Sequence, residues 1–141
     1  MEPWESGDGS TDAYKNYHTY TESLPVFFND LGYKTVFLST APLSFLHQRD
    51  FLSGIKFTSI IGEEAFTTGK KYVFDAAPDE ELYAKALDVI RNKPSDKPLF
   101  LALQTISSHK PYSSPDGNSE RAAFAYSDRT IKAFYDQLKK E

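Results

Sequence analysis

Cysteine is absent from the 141 residues of this chain, and methionine and tryptophan occur once each. The absence of cysteine excludes a disulfide framework, a thiolate metal site and a cysteine nucleophile. Long apolar runs are also missing, because none approaches the roughly 20 residues that a membrane helix needs. No signal peptide is recognisable at Met1. We therefore expect the chain as it stands to be soluble.

Positive charge is in deficit, with 16 Lys and Arg against 20 Asp and Glu, which gives a formal net charge of −4. This balance argues against a general nucleic-acid binder, although a local positive pocket for a small anion remains possible. A hydrophobic content of 40% favours a folded domain with a single core. Residues 1–20 are polar and rich in turn formers, so we predict a lead-in loop there and one domain over 21–141.

Helical and strand patterns alternate along that domain. The predicted helices are 21–31, 44–52, 78–91 and 119–140, and the predicted strands are 34–39, 57–61 and 99–103. This order predicts an α/β fold in which a mainly parallel sheet of three or more strands is flanked by helices. Three strands are fewer than the mean of about 5–6 per sheet, which suggests a slice of a larger domain.

Local signals predict how the helices begin and which side is apolar. Ser23 or Thr21 fits the N-cap of the first helix, and Pro78 fits the first helical position of the third. Helical spacing places two apolar rows on the surface of the first and last helices. These rows are Leu24, Phe27, Phe28 and Leu31, and Phe124, Ile131, Phe134, Tyr135 and Leu138.

The stretch 98–112, PLFLALQTISSHKPY, changes abruptly from apolar to polar. Its apolar run, Leu99 to Leu103, predicts the central strand of the sheet, buried on both faces. In open α/β sheets, ligands bind beyond the carboxyl ends of the strands. The hydroxyls, His109 and Lys110 that follow this strand suit an anionic group.

Three further observations bear on that site. His109 can donate a hydrogen bond to a phosphate or sulfate oxygen, but a solvated loop histidine is the simpler alternative. Arg49 follows the strand 34–39 and could converge with His109 on one pocket, because parallel strands end at the same edge of a sheet. An ordinary surface arginine paired with Asp50 or Asp30 is an interpretation of Arg49 that is at least as simple. His47 and Arg49 are two residues apart, so only an irregular segment would let both point inward.

Motifs for a complete active site are missing. No cluster of histidine, aspartate and glutamate has convincing metal spacing, and there is no P-loop, GxSxG or GxGxxG. The acidic run 79–81 is explained most simply as a charged helix start, where carboxylates favour the positive end of the helix dipole.

Five stretches, in order, resemble one family. They are SLPVFFNDLGYKT, FLHQRDFL with IKFTSIIGEEAF, YVFDAAPDEELYAKAL, PLFLALQTISSHKPY and AYSDRTIKAFYDQLKK. Together they resemble the alkaline phosphatase superfamily in its sulfatase and lipoteichoic-acid-synthase-like branch, from about Ser23 to Lys140. The resemblance implies a partial sulfatase-like α/β domain.

This resemblance also implies a chemistry for the parent enzyme. Members use a Ser, Thr or modified Cys nucleophile beside one or two divalent metals, such as Mn, Mg, Ca or Zn. The nucleophile attacks phosphorus or sulfur and passes the group to water or an alcohol. The implied substrates are phosphate or sulfate esters, with lipid-linked phosphoglycerol or phosphoethanolamine head groups as candidates. The implied parent is anchored in the cell membrane, with its catalytic domain on the extracytoplasmic (periplasmic) side.

Carried over by position, His109 of the T-x-S-x-H pattern and Arg49 of the aromatic-x-Arg-Asp segment bind the head group. His47 occupies the place of an expected tryptophan and joins them as a substrate-binding candidate. The family's nucleophile would lie upstream of Met1 and its metal-binding Asp-His pair beyond Lys140, so we expect no metal bound by this chain and no activity from it alone. The alternatives are a stand-alone, non-catalytic module that binds an anion or a protein, and an unrelated α/β domain with Arg49 and His109 merely solvated.

Overall fold

A computed structural model describes residues 21–67 and 69–141. Helices and strands alternate along these ranges. They are α1 (Leu24–Asp30), β1 (Lys34–Ser39), α2 (Gln48–Gly54), β2 (Ser59–Ile61), α3 (Asp79–Arg91), β3 (Leu99–Gln104) and α4 (Glu120–Leu138). The lead-in loop predicted for 1–20 lies outside the described residues.

The three strands form one sheet in the order β2-β1-β3. Lys34 N donates to Pro98 O over 2.9 Å, which joins the starts of β1 and β3. Thr58 N donates to Thr35 O over 3.1 Å, which joins the starts of β1 and β2. Strands that start side by side run in the same direction, so the predicted α/β fold with a parallel sheet and flanking helices is confirmed.

The prediction that 99–103 is the central, doubly buried strand is wrong. β1 is central, and four of its six residues are buried. β3 lies at the edge of the described sheet, and all six of its residues are half-exposed. An apolar run reports burial of a strand but not its place in the sheet, because that place depends on pairing between distant segments.

The chain divides into two compact units. The first takes the chain up to Phe37 together with Leu43–Ile60 and Ser95–Ala102. In it, Ser23 is the N-cap of α1, as predicted: its Oγ accepts from Val26 N over 3.2 Å and donates to Ile55 O over 2.8 Å. These bonds tie the start of α1 to the end of α2.

Only part of the predicted apolar row on α1 is covered in this unit. Phe28 stacks on Phe100 of β3 with ring centroids 4.4 Å apart. The other three members of the row, Leu24, Phe27 and Leu31, are exposed. A helical period identifies an apolar side, but the described packing partners cover only one of its edges.

The second unit comprises Leu38–Pro42, Ile61–Pro94 and Leu103–Glu141. Helices α3 and α4 pack together in it, and Tyr83 stacks on Phe134 with centroids 4.7 Å apart. The core residues of this pair are fully or almost fully buried. They are Leu82, Tyr83, Ala86, Leu87, Ala123 and Tyr126.

Two details of these helices differ from expectation. Pro78 is the extended N-cap of α3 (φ −68°, ψ 157°) rather than its first helical residue. The apolar row predicted for α4 is largely exposed, because the helix buries a different side, formed by Ala123, Tyr126 and Thr130. The exposed members are Phe124, Ile131, Tyr135 and Leu138. Among the described helices, none has the combination of length and apolar composition needed to cross a bilayer.

Candidate functional site

Asp79, the first residue of α3, is fully buried and accepts hydrogen bonds from the loop that follows β3. Its Oδ1 accepts from Ile106 N over 2.9 Å and from Ser107 N over 3.1 Å. Its own amide donates to Ser107 Oγ over 3.1 Å. A buried carboxylate is tolerated only when such donors replace water. The bonds therefore fix residues 105–110, the Ser107 loop, on the start of α3.

The other side of this helix start is closed by α4. Glu80 N donates to the hydroxyl of Tyr126 over 3.1 Å, and Ser127 Oγ lies 3.5 Å from Asp79 Oδ2. The first amides of a helix have no partner inside the helix, so these side chains satisfy them. Burial, together with the nearby Glu80 and Asp79 carboxylates, raises the pKa of Tyr126 to about 12, although the bond from the Glu80 amide opposes the shift. The phenol is therefore neutral and stays fixed at ordinary pH.

A small apolar platform carries the exposed parts of the site. Val73, Ala76 and Ile106 form a buried cluster, and Ala41 packs against it. These residues belong to three segments: the one after β1, a turn at 72–76 that we name the Phe74 turn, and the Ser107 loop. The platform therefore brings three loops of the second unit together at the ends of β1 and β3, where ligands bind in open α/β sheets.

His109 is exposed above this platform. Its Nδ1 lies 2.5 Å from Lys110 O. Because a carbonyl oxygen only accepts, this contact requires the proton on Nδ1 and does not involve Nε2. Nε2 then accepts when the ring is neutral and donates when it is protonated. The imidazole is thus oriented so that, once charged, it donates to an anionic oxygen.

Phe74 is the neighbour of His109 in this arrangement. The two rings meet edge to face, with centroids 5.0 Å apart and an interplanar angle of 69°. Phe74 is 52% exposed and has a left-handed backbone (φ 54°), as does Asp75 (φ 58°). Such a conformation is uncommon for a bulky residue and identifies the turn as a locally strained feature.

One buried polar group near the platform lacks a partner. Thr40 follows β1 directly, is fully buried, and its Oγ1 makes no hydrogen bond with any part of the chain that the structure describes. The adjacent Ser39 differs, because its Oγ accepts from Ala41 N over 3.2 Å. An unsatisfied buried hydroxyl costs free energy, so Thr40 is a second site of local strain in this unit.

Arg49 and His47 lie in the first unit. Arg49, in α2, is half-buried, and its amide donates to Leu43 O over 2.9 Å. His47 is exposed, and its Nδ1 lies 3.4 Å from Asp50 Oδ2. Leu46 and His47 both have left-handed backbones (φ 53° and 58°). The segment before α2 is therefore irregular, which is the condition under which His47 and Arg49 could both point inward. Convergence of Arg49 with His109 stays a prediction.

Metal ligation was also tested against the described residues. Over 21–67 and 69–141, no three histidine, aspartate or glutamate side chains form a group that could hold a metal ion. Asp79 is occupied by two backbone amides, and Asp50 lies beside His47. These residues do not fit the metal that the resemblance implies.

Two residues of the site were missed or misread in the sequence. The sequence explains Asp79 as part of a charged helix start, whereas in the structure its carboxylate is an internal acceptor for the Ser107 loop. Phe74 carried no signal, because neither its left-handed backbone nor its contact with His109 follows from a local pattern.

Comparison with known proteins identifies the family. The sulfatase family profile matches residues 5–141. A search of curated proteins finds no match. Among solved structures, a protein in the alkaline phosphatase superfamily from Vibrio parahaemolyticus is 30% identical, with a TM-score of 0.71, and the match covers 82% of this chain and 31% of that one.

Two more distant structures share the fold. Lipoteichoic acid synthase LtaP from Listeria monocytogenes is 23% identical with a TM-score of 0.82, over 93% of this chain and 36% of that one. Phosphoglycerol transferase GacH from Streptococcus pyogenes, in complex with sn-glycerol-1-phosphate, is 18% identical with a TM-score of 0.57, over 77% and 33%. This chain thus spans about a third of the length of the solved structures that it matches. With the family profile matched over almost its whole length, the chain belongs to the sulfatase family of the alkaline phosphatase superfamily.

Proposed function

We propose that this chain forms part of the substrate-binding wall of a metal-dependent phosphotransferase or hydrolase that acts on phosphate or sulfate esters. His109 binds the anionic group of the ester, and Arg49 and His47 contact the same head group. The observation that carries the proposal is that Nδ1 of the exposed His109 is engaged by Lys110 O, so the contact leaves Nε2 as the ring nitrogen available to a ligand. The sulfatase family match over residues 5–141 supports it.

The substrate class that we favour is an organic phosphate ester. The GacH structure contains sn-glycerol-1-phosphate, and we extend this ligand class to the present chain. A protonated imidazole donates one charge-assisted hydrogen bond to a phosphate oxygen, and an arginine offers a planar pair of donors. Lipid-linked phosphoglycerol or phosphoethanolamine head groups fit this chemistry.

Turnover, in this proposal, needs sequence beyond these 141 residues. The chain spans about a third of the matched structures, and we propose that the nucleophile and the ligands of a divalent metal come from the remainder of the enzyme. A divalent metal held by those residues would supply positive charge to the ester group that His109 binds. We also propose that the parent is anchored in the cell membrane, with this domain on the extracytoplasmic side.

The test is to measure kcat/KM of the intact protein on a phosphodiester and on a sulfate ester, with His109→Ala and Arg49→Ala as variants. We expect His109→Ala to lower kcat/KM on the better ester by about tenfold or more, the value of one hydrogen bond to a charged group. Lys132→Ala, which removes a cation from the exposed surface of α4, is the matched control.

Two results would contradict the proposal. Unchanged kcat/KM in His109→Ala would remove His109 from the site. Metal-dependent turnover by the 141-residue chain alone would show that the nucleophile and metal ligands do not come from elsewhere.

A further inference from the structure

In the Phe74 turn, Phe74 and Asp75 are exposed, whereas the residues on either side of them are buried. Tyr72 N donates to Ala76 O over 2.9 Å, and Ala76 N donates to Val73 O over 3.0 Å, which closes the turn on itself. Val73 and Ala76 are buried in the platform. With these anchors inside, Phe74 is directed into solvent, where 52% of it is exposed.

An aromatic residue at this position is unfavourable for the fold by itself. A left-handed backbone is unfavourable for a residue with a Cβ, and glycine or asparagine would occupy it more readily. Exposure of a phenyl ring forgoes the free energy that burial would supply. Several other large apolar side chains of the described residues are exposed too, but Phe74 combines exposure with a left-handed backbone and a contact with His109. Strained backbone of this kind clusters at binding sites.

The contact with His109 indicates what this ring would meet. Its centroid lies 5.0 Å from that of the imidazole, so a ligand held at Nε2 extends its organic part into the neighbourhood of the phenyl group. The face of a phenyl ring carries partial negative charge. It therefore disfavours anionic oxygens and accommodates C–H groups. Lys110, the nearest cation in sequence, lies over the ring of Tyr112 instead (5.9 Å).

We propose that Phe74 is a specificity-determining residue, an apolar wall that contacts the carbon portion of the ester while His109 takes its anionic group. This inference rests on the function proposed above for His109. It assigns the two residues different roles. His109 recognises the charge that every phosphate shares, and the phenyl ring of Phe74 distinguishes an organic ester from a free anion.

The experiment is calorimetric titration of the intact protein with two probes, inorganic phosphate and sn-glycerol-1-phosphate. The variants are Phe74→Ala, Phe74→Gly and His109→Ala, and Phe124→Ala is the control because Phe124 is also about half exposed (53%). We expect Phe74→Ala to weaken sn-glycerol-1-phosphate by about fivefold, as loss of partial apolar contact predicts, and to leave inorganic phosphate unchanged. Phe74→Gly removes the ring while relieving the backbone, so it gives the same comparison if the alanine variant folds poorly.

Equal weakening of both probes by Phe74→Ala and Phe74→Gly would overturn the proposal, because it would mean that the ring only orients His109. Unchanged binding of both probes would overturn it as well. His109→Ala tests the role of His109 separately, and we expect it to weaken the binding of both probes. If it weakens the binding of neither while Phe74→Ala still weakens binding of the ester, the role of His109 fails and that of Phe74 stands. Absence of binding of both probes to the wild-type protein would overturn both proposals.

Discussion

Asp79 and Ser107 hold each other through two reciprocal hydrogen bonds. Ser107 N donates to Asp79 Oδ1 and Asp79 N donates to Ser107 Oγ, each over 3.1 Å. This is the arrangement by which a capping residue closes a helix start, but here it joins residues 28 positions apart. The pair therefore sets the position of the loop that carries His109.

Removal of the Asp79 carboxylate should destabilise the protein severely. Asp79→Ala leaves the amides of Ile106 and Ser107 without acceptors in a buried place, so we expect the free energy of unfolding to fall by about 3 kcal/mol. Asp79→Asn keeps Oδ1 as an acceptor and should cost about 1 kcal/mol. Urea denaturation measures both. Asp128→Ala, at an exposed position of α4, should stay within about 0.5 kcal/mol of wild type; equal losses in the two alanine variants would refute the anchoring role.

Tyr126 predicts a dependence of stability on alkaline pH. Its pKa is raised to about 12, above the ordinary tyrosine value of 10.0, chiefly by burial. A raised folded-state pKa means that the neutral phenol is favoured in the fold, so this stability is complete below pH 10 and is lost as the pH rises towards 12. Burial and Asp79 also raise the pKa of Tyr83. Tyr126→Phe should therefore weaken, without abolishing, the alkaline loss of stability followed by circular dichroism.

The same substitution has an effect at neutral pH. Without the hydroxyl, Glu80 N loses its acceptor at the start of α3, which should cost about 1 kcal/mol in urea denaturation. Tyr135→Phe, on the exposed side of the same helix, is the control and should change little. A loss of the same size in both variants would mean that the bond to Glu80 contributes nothing specific.

Replacement of Thr40 should stabilise the protein. Its Oγ1 is buried and unpaired within the described residues, and Thr40→Val keeps the shape while removing the hydroxyl. We expect the free energy of unfolding to rise by about 1 kcal/mol. Thr35→Val should have the opposite sign, because Thr35 Oγ1 donates to Asn29 over 2.8 Å and accepts from Thr58 N over 3.0 Å. Destabilisation by Thr40→Val would indicate that the hydroxyl has a partner in solution.

The glycine and alanine variants of Phe74 and Phe124 should differ in stability in opposite directions. At Phe74 the left-handed backbone favours glycine, so Phe74→Gly should be more stable than Phe74→Ala by about 1 kcal/mol. At Phe124, inside α4, alanine should be the more stable of the two by a similar amount, about 1 kcal/mol. Thermal denaturation of the four variants gives both differences, and an advantage of alanine at Phe74 would contradict the backbone geometry.

The local half of this fold could be predicted from the sequence. The bounds of β1, the Ser23 cap and the α/β order with its parallel sheet agree with the structure, because short-range periodicity and capping determine them. The place of β3 at the sheet edge could not be predicted, since pairing between distant segments decides it. Nor could the exposure of Ile131, because helical spacing defines a side without saying what covers it.

The candidate site was predictable only in part. The polar residues after β3 predict a site for an anionic group in the Ser107 loop, and His109 of this loop is exposed in the structure. The burial of Asp79 and the left-handed turn at Phe74 depend on contacts and backbone angles that one sequence does not encode locally. Convergence of Arg49 with His109 stays a prediction, which the kcat/KM values of the Arg49→Ala and His109→Ala variants test.

In the Phe74 turn, the residues that anchor the turn are different from the residue that it exposes. Val73 and Ala76 secure it in the platform, whereas the side chain at 74 extends outward and belongs to no buried cluster. A mutation at this one position therefore exchanges the displayed group without repacking the interior. Under the role proposed for Phe74, ligand preference would diverge by single substitutions, and a library confined to residue 74 is the smallest one that tests this consequence.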